Sequence, residues 1–237
     1  MLNKTKYKLH VTFAFLACEA ILGVLVQTAS GSWVVTTSYA CVVLACLFVL
    51  SCYEKSRVYF LTQIGLICTV MADLFLVVMS PIKQLPAMIF FLMTQLCYFL
   101  RLYYNEGSRR ARIVHCAIRG AVVLVAMVLT LIVLQKNTDA LSLVSLFYYA
   151  NLIVNIVFAF VQFKKESVLA IGLLLFLLCD TIIGLDVMAS SYIPIADGSF
   201  IYAILHSGIN LAWVFYVPSQ ALIAISLIDF KGSTQSN

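Results

Sequence analysis

Charged side chains are scarce in this sequence. Asp, Glu, Lys and Arg together make up 11% of its 237 residues, whereas 63% of the residues are hydrophobic and the mean hydropathy is +1.05. A soluble domain could not bury that much apolar surface. The composition therefore excludes an ordinary soluble globular protein and predicts a chain that is surrounded by lipid.

Linkers and polar low-complexity segments are also missing. Proline occurs only four times, and no Gly/Ser-rich stretch or run of charge separates two parts of the chain. We therefore expect residues 1–237 to form a single integral membrane domain.

Several chemical motifs are absent as well. The eight cysteines are scattered through apolar stretches without a CxxC pair or a histidine at metal-ligand spacing, so neither a disulfide framework nor a zinc site is expected. GxSxG, HExxH and phosphate-loop patterns do not occur, which leaves serine hydrolases, zincins and nucleotide-binding proteins without support. No metal or other cofactor is predicted.

Long apolar runs are what the sequence does contain. Each is long enough to cross a hydrocarbon core of roughly 30 Å as a helix, which satisfies its own backbone hydrogen bonds. The predicted spans are residues 9–27, 33–52, 58–79, 87–104, 113–134, 141–163, 167–189 and 209–228. The fold class is therefore all-α, a polytopic membrane helical bundle of about eight transmembrane helices. Residues 199–208 are ambiguous, because they fit either an interfacial turn or an extension of the last span.

The basic residues indicate the orientation of these spans. With the N-terminus in the cytoplasm, that side carries Lys4, Lys6, Lys8, Lys55, Arg57, Arg109, Arg110, Arg112, Lys164, Lys165 and Lys231, and the other side carries Lys83 and Lys136. The positive-inside rule predicts this bias for an even number of spans. We expect both termini in the cytoplasm and a location in the cell (plasma) membrane. The same bias explains the net charge of +5, so no nucleic-acid partner is needed.

A set of polar side chains falls at one depth in these spans. Counting from the outer helix ends, at about 1.5 Å per residue, places them roughly 9 to 15 Å below the outer surface. The set comprises Glu19, Asp73, Gln95, Asn151, Asp180 and, close to the same level, Gln220. Ionisable groups at that depth are rare and usually face a cavity or one another.

Two interpretations of this layer remain open. The amides, including the pair Asn151 and Asn155 on one helix face, can act simply as interhelical hydrogen-bond donors and acceptors. Carboxylates in hydrocarbon need a cation, a shared proton or a chemical role, so Asp73 and Asp180 favour a functional site. Arg101 and Arg119 lie toward the inner helix ends. Their side chains are expected to extend to the nearby membrane interface instead of pairing with this layer.

Four segments at these residues resemble the YhhN-type membrane family, which includes lysoplasmalogenases. The similar segments are residues 71–76 (MADLFL), 91–98 (FLMTQLCY), 172–180 (GLLLFLLCD) and 216–224 (YVPSQALIA). They occur in the expected order on four helices. The chain departs from the usual family pattern at Ala72, Gln95, Cys179 and Ser219. Gln95 stands where the family usually has a titratable histidine, and an amide can form hydrogen bonds but cannot titrate.

The resemblance implies hydrolysis of the vinyl ether bond of a lysoplasmalogen within the membrane. The expected catalytic residues are Asp73 and Asp180. The expected substrate-binding residues are Gln95, Tyr98, Asn151, Tyr216 and Gln220. The implied partners are a lysophospholipid substrate and the surrounding membrane lipids.

Two other functions are compatible with the same residues. A polar layer within the bilayer is also typical of a transporter, although no internal repeat is apparent. The replacement of the family histidine by Gln95 is compatible with a non-catalytic lipid-binding homologue.

Overall fold

A computed structural model gives the fold for residues 2–52, 54–135, 138–191, 196 and 198–228. Within these residues all regular structure is helical. The helices are α1 Leu2–Thr28, α2 Ser32–Ser51, α3 Arg57–Asp73, α4 Gln84–Asn105, α5 Arg109–Leu134, α6 Ala140–Val161, α7 Phe163–Ser191, α8 Phe200–Leu205 and α9 Leu211–Ile225. A π-helical turn, Leu74–Val78, directly follows α3.

Seven helices in the described part of the chain are long and apolar enough to cross a membrane. Their apolar segments are Lys8–Thr28, Ser32–Ser51, Arg57–Val78, Gln84–Asn105, Arg109–Ile132, Ala140–Val161 and Phe163–Val187. Each segment begins and ends within a few residues of a predicted span, so the all-α membrane bundle is confirmed. Lys136 and Lys231, which contribute to the predicted charge bias, lie outside the described residues.

The eighth predicted span, residues 209–228, differs from its expected length. Its helix α9 has only 15 residues, which at about 1.5 Å per residue is shorter than a hydrocarbon core of roughly 30 Å. The ambiguous segment before it does not extend the helix. It forms the short helix α8 and a turn at Gly208, whose φ of 73° ends helical geometry.

Short polar side chains fix the starts of three spans. The hydroxyl of Ser56 accepts from the backbone N–H of Val58, and that of Ser108 accepts from Ala111. Asp139 and Ser142 form a capping box at the start of α6, with Ser142 N donating to Asp139 Oδ1 at 2.8 Å. The backbone and side-chain hydrogen bonds from Ser142 lower the pKa of the exposed Asp139 carboxyl.

Two glycines allow close helix packing around the site. A Cβ added at Gly172 on α7 would lie 3.1 Å from the backbone nitrogen of Ile223 on α9. A Cβ at Gly65 on α3 would lie 2.8 Å from the ring of Tyr98 on α4. Small residues at helix contacts are typical of membrane bundles, where close van der Waals packing stabilises association. The lack of a side chain at Gly172 and Gly65 allows α7 to pack closely against α9 and α3 against α4.

A buried ion pair joins four helices at the end of the bundle where α3 begins and α4 ends. Arg101 on α4 donates to Glu166 on α7 at 2.7 Å, to Thr62 on α3 at 3.0 Å and to Ser226 after α9 at 2.8 Å. Asn105 also donates to Glu166, whose backbone leaves helical geometry. The Arg101 side chain is only 2% exposed. Arg101 does not pair with the polar layer of Asp73 and Asp180, as expected, but the expectation that its side chain reaches the interface was wrong, because Glu166 is available inside the bundle to pair with it.

Candidate active site

Asp73 lies at the end of α3 and is held by a tyrosine of α9. The hydroxyl of Tyr216 donates to Asp73 Oδ2 at 2.6 Å, and both residues are buried. The π-helical turn Leu74–Val78 begins immediately after Asp73. Such turns are frequent at functional sites.

Asp180 on α7 has an equivalent partner on α6. The hydroxyl of Tyr148 donates to Asp180 Oδ2. The next residues along the two helices also form a pair, since the hydroxyls of Tyr149 and Thr181 are 2.9 Å apart. Asp180 is partly exposed as a residue, whereas Asp73 is buried.

The two tyrosine–aspartate pairs lie in one cluster. The ring of Phe176 on α7 contacts both tyrosines, with its centroid 5.4 Å from that of Tyr216 and 6.5 Å from that of Tyr148. The carboxyl groups of Asp73 and Asp180 are close enough to interact electrostatically. Neither aspartate forms an ion pair with a described residue. Their proximity was expected, and their catalytic role stays a prediction.

Phe91 connects this cluster to α4. Its ring centroid is 5.7 Å from that of Tyr148 and 5.8 Å from that of Phe176. Because Gln95 follows Phe91 by one helical turn, the same face of α4 carries Gln95 toward α6. Aromatic rings therefore pack around the two tyrosines that hold the carboxyl groups.

Gln95 and Asn151 belong to a second polar cluster, centred on Arg119 of α5. Arg119 donates to Oδ1 of Asn151 and, at 2.5 Å, to Oδ1 of Asn155. Asn155 in turn donates to Gln95 Oε1 at 2.9 Å, and His115 Nε2 lies 3.4 Å from Arg119. The expectation that Arg119 reaches to the interface was wrong, because α6 presents two amide oxygens to it within the bundle.

Tyr98 and Gln220 are buried at other positions. Tyr98 is completely buried, and its hydroxyl has no hydrogen-bond partner among the described residues. Neither polar atom of the Gln220 amide has a hydrogen-bond partner among the described residues, and the same holds for the buried carboxyl of Glu19 on α1. The five predicted substrate-binding residues are thus distributed over more than one cluster, and their roles stay predictions.

Sequence reasoning did not single out Tyr148 or Phe176, and it did not pair Arg119 with Asn151 and Asn155. Tyr148 lies three residues before Asn151 and therefore on the same face of α6, a spacing that could have identified it. Phe176 lies one turn before Asp180 but carries no polar group that would distinguish it among the 16 phenylalanines.

Potential metal ligands in the described part of the chain are its His, Cys, Asp and Glu side chains. Among them, no group of three or more His, Cys, Asp or Glu side chains could hold a metal ion. The eight cysteines are free thiols. The polar groups that meet at the aspartate cluster are carboxyl and phenol groups.

These features define a class of protein, a polytopic membrane protein with paired carboxyl groups inside its helical bundle. The YhhN family model matches residues 11–227, and the chain belongs to the YhhN family. No curated protein and no solved structure matches the chain.

Proposed function

We propose that the protein hydrolyses the vinyl ether bond of a lysophospholipid, a lysoplasmalogenase-like reaction carried out inside the membrane. The single observation that supports this most strongly is the pairing of Asp73 and Asp180 with two tyrosines around Phe176. Membership of the YhhN family supports it further. The partners in this proposal are a lysophospholipid and the surrounding bilayer lipids.

The reaction requires a proton donor, a group that stabilises positive charge and a water molecule. One aspartic acid transfers its proton to the outer alkenyl carbon of the R–CH=CH–O–R′ group, giving an oxocarbenium ion, R–CH₂–CH=O⁺–R′. The neighbouring carboxylate stabilises this cation and accepts a proton from the attacking water. The resulting hemiacetal loses the hydroxyl proton while the glycerol oxygen takes one up. The products are a fatty aldehyde, R–CH₂–CHO, and a glycerophospho-base, R′OH.

The tyrosines fit positioning roles in this chemistry. The Tyr216 and Tyr148 hydroxyls each donate to one oxygen of an aspartate, which leaves the second carboxyl oxygen to face the substrate. An enol ether is protonated on carbon, so the acid must be oriented accurately toward a weak base. Gln95, Tyr98 and Gln220 are proposed to line the remainder of the substrate site.

The departure at Gln95 restricts the proposal in one respect. Gln95 is bonded to Asn155 and cannot exchange a proton at neutral pH. The proposed reaction therefore uses only the two aspartates for proton transfer. A non-catalytic lipid-binding protein is the second candidate, and the amide at position 95 is the observation that favours it.

Aldehyde release from purified protein tests the proposal. The protein is incubated with an alkenyl lysophospholipid, and the fatty aldehyde is measured by mass spectrometry. In D₂O the aldehyde should carry one deuterium on the carbon next to the carbonyl, because the first step adds a solvent-exchanged proton there. The saturated alkyl ether should release nothing, since it has no alkenyl carbon to protonate.

Three variants locate the chemistry. Asp73→Asn and Asp180→Asn should each lower kcat by about 100-fold or more, because general acid–base groups typically contribute that much. The matched control is Asp186→Asn, which removes an exposed carboxyl from the same helix as Asp180 and should leave kcat unchanged. Wild-type aldehyde release no higher than that of the two aspartate variants would end the hydrolase proposal. Binding of the lipid without release would then favour the non-catalytic homologue, and ion-coupled flux in proteoliposomes would favour a transporter.

We also propose that both termini are cytoplasmic and that the protein resides in the cell membrane. The distribution of Lys and Arg over the loops supports this orientation.

A further inference from the structure

Arg119 is a buried cation whose charge no described residue balances. The residue is 8% exposed, and the ion pairs found among the described residues, Lys8–Glu54 and Arg101–Glu166, do not include it. Its partners Asn151 and Asn155 contribute neutral amide oxygens. A cation at bilayer depth is usually paired with an anion or a polar cavity. Arg119 therefore has the properties of an anion-binding residue.

The guanidinium of Arg119 is held in a fixed plane with donor capacity remaining. Phe99 covers one face, with its ring centroid 4.1 Å from Arg119 Cζ. Asn151 and Asn155 each accept from one terminal nitrogen. The Nε–H has no hydrogen-bond partner among the described residues. A guanidinium carries five N–H donors in a rigid fork that matches the oxygens of a phosphate group.

Helix α6 links this cation to the aspartate cluster. Tyr148, Asn151 and Asn155 are spaced three and four residues apart, so they lie on one face of the helix. Tyr148 holds Asp180, and the two asparagines hold Arg119. Along the helix axis the asparagines lie about 5 to 10 Å from Tyr148. The glycerol unit that separates the ether oxygen of a lysophospholipid from its phosphodiester covers a span of similar size.

We propose that Arg119 binds the phosphodiester of the lysophospholipid whose ether group reaches the Asp180–Tyr148 pair. The ligand class is a phosphate monoanion on a glycerol lipid. The identity of the lipid rests on the proposed function, whereas the binding of phosphate at Arg119 does not. Asn151 and Asn155 are positioning residues that orient the guanidinium, so the predicted role of Asn151 in substrate binding is exerted through Arg119.

Binding of non-cleavable ligands tests this assignment without any catalytic step. The purified protein in a maltoside detergent is titrated, with detection by native mass spectrometry, against a 1-O-alkyl lysophosphoethanolamine and a 1-O-alkylglycerol of equal chain length. The phosphate-bearing ether should bind at least about tenfold more tightly, since charge-assisted bidentate hydrogen bonds are the strong ones. Equal affinity of the wild-type protein for the two ethers would overturn the proposal, whatever the variants do.

Substitutions at Arg119 then assign the preference to this residue. Arg119→Gln should bind both ethers equally, and Arg119→Lys, which keeps the charge but loses the fork, should retain a reduced preference. Arg57→Gln is the matched control, because Arg57 also lies over an aromatic ring, that of Tyr104, but is exposed. It should keep the full preference. An Arg119→Gln protein that is folded and still prefers the phosphate-bearing ether would refute the assignment.

Two further measurements distinguish the source of the phosphate and separate this proposal from the hydrolase. Binding of sn-glycerol 3-phosphate as tightly as the lysophospholipid would assign the site to a soluble phosphate and overturn the lipid ligand.

Asp73→Asn and Asp180→Asn should keep the phosphate preference. A wild-type protein with the preference but no aldehyde release supports the Arg119 site and refutes the hydrolase. A wild-type protein that releases aldehyde but does not prefer the phosphate-bearing ether supports the hydrolase and refutes the Arg119 site.

Discussion

The hydroxyl groups of Tyr148 and Tyr216 are the direct hydrogen-bond partners of the two carboxyl groups. Replacing either tyrosine by phenylalanine removes one hydrogen bond, which is charge-assisted when its aspartate is ionised, and keeps the ring that packs on Phe176. We expect Tyr216→Phe and Tyr148→Phe to lower kcat for the vinyl ether by about 10- to 100-fold, because such a bond contributes roughly 1.5 to 3 kcal/mol. Aldehyde release at saturating substrate measures the effect.

Tyr149→Phe is the control for these substitutions. Tyr149 is adjacent to Tyr148 on α6, but its hydroxyl meets Thr181 and not an aspartate. The variant should keep wild-type kcat. If Tyr149→Phe reduced kcat as much as Tyr148→Phe, the loss would reflect general damage to the α6–α7 contact, and the positioning role would be refuted.

At individual residues, the depth in the bilayer was predictable from the sequence, but the direction in which the side chain points was not. Counting from helix ends brought Asp73 and Asp180 to one level, and the structure brings them into one cluster. The same count assigned Arg119 to the interface. It failed because residue spacing gives no information on how α5 is rotated toward α6, and so cannot reveal two amide oxygens facing the guanidinium. Only the packing of the helices supplies that orientation.

The contact between α7 and α9 determines where the two aspartate pairs meet, because α7 carries Asp180 and α9 carries Tyr216. Gly172 allows this contact, as a Cβ there would lie 3.0 Å from Ile223 Cγ1 and 3.1 Å from its backbone nitrogen. We expect Gly172→Leu to destabilise the bundle by about 1 to 3 kcal/mol through overpacking. The buried free thiols, such as Cys46 and Cys179, allow unfolding to be followed with a thiol-reactive dye, which should report a melting temperature lowered by several degrees.

Gly184→Leu provides the comparison on the same helix. A Cβ at Gly184 meets nothing within 4 Å, so this variant adds the same side chain without a clash. Its melting temperature should stay close to that of the wild-type protein. Equal destabilisation by both substitutions would show that the loss of glycine from α7, and not the approach of α9, is responsible.

The lengths of most helices were predictable because each apolar run between polar breaks, folded as a helix, is about as long as the hydrocarbon core is thick. Residues 33–52, for example, became Ser32–Ser51. The last helix was predicted too long, because its apolar run continues through Ile209 while the backbone does not. Gly208 has a φ of 73°, and the side chain of Asn210 caps the first turn of α9. Hydropathy alone does not detect such a turn.

At the scale of the whole molecule, the short helix α9 connects opposite ends of the bundle. Hydrogen bonds at the two ends of α9 show this. At its start, the Gln27 amide near the end of α1 donates to Asn210 O at 3.1 Å and accepts from Asn210 N at 2.9 Å. Beyond its end, Tyr59 at the start of α3 donates to Leu227 O at 2.7 Å. Since α1 ends and α3 begins on opposite sides of the membrane if α1 and α2 each cross it, we expect α9 to form an eighth crossing.

An even number of crossings predicts that the two termini lie on the same side of the membrane, and the loop charges predict that this side is the cytoplasm. Epitope tags at the N- and C-termini test both statements, with antibody access measured in intact and in permeabilised cells. We expect both tags to be inaccessible until the membrane is permeabilised. A tag in the loop between α1 and α2, at residues 29–31, should be accessible in intact cells and serves as the control. Accessibility of the C-terminal tag alone would mean that α9 does not cross, because an odd number of spans separates the termini.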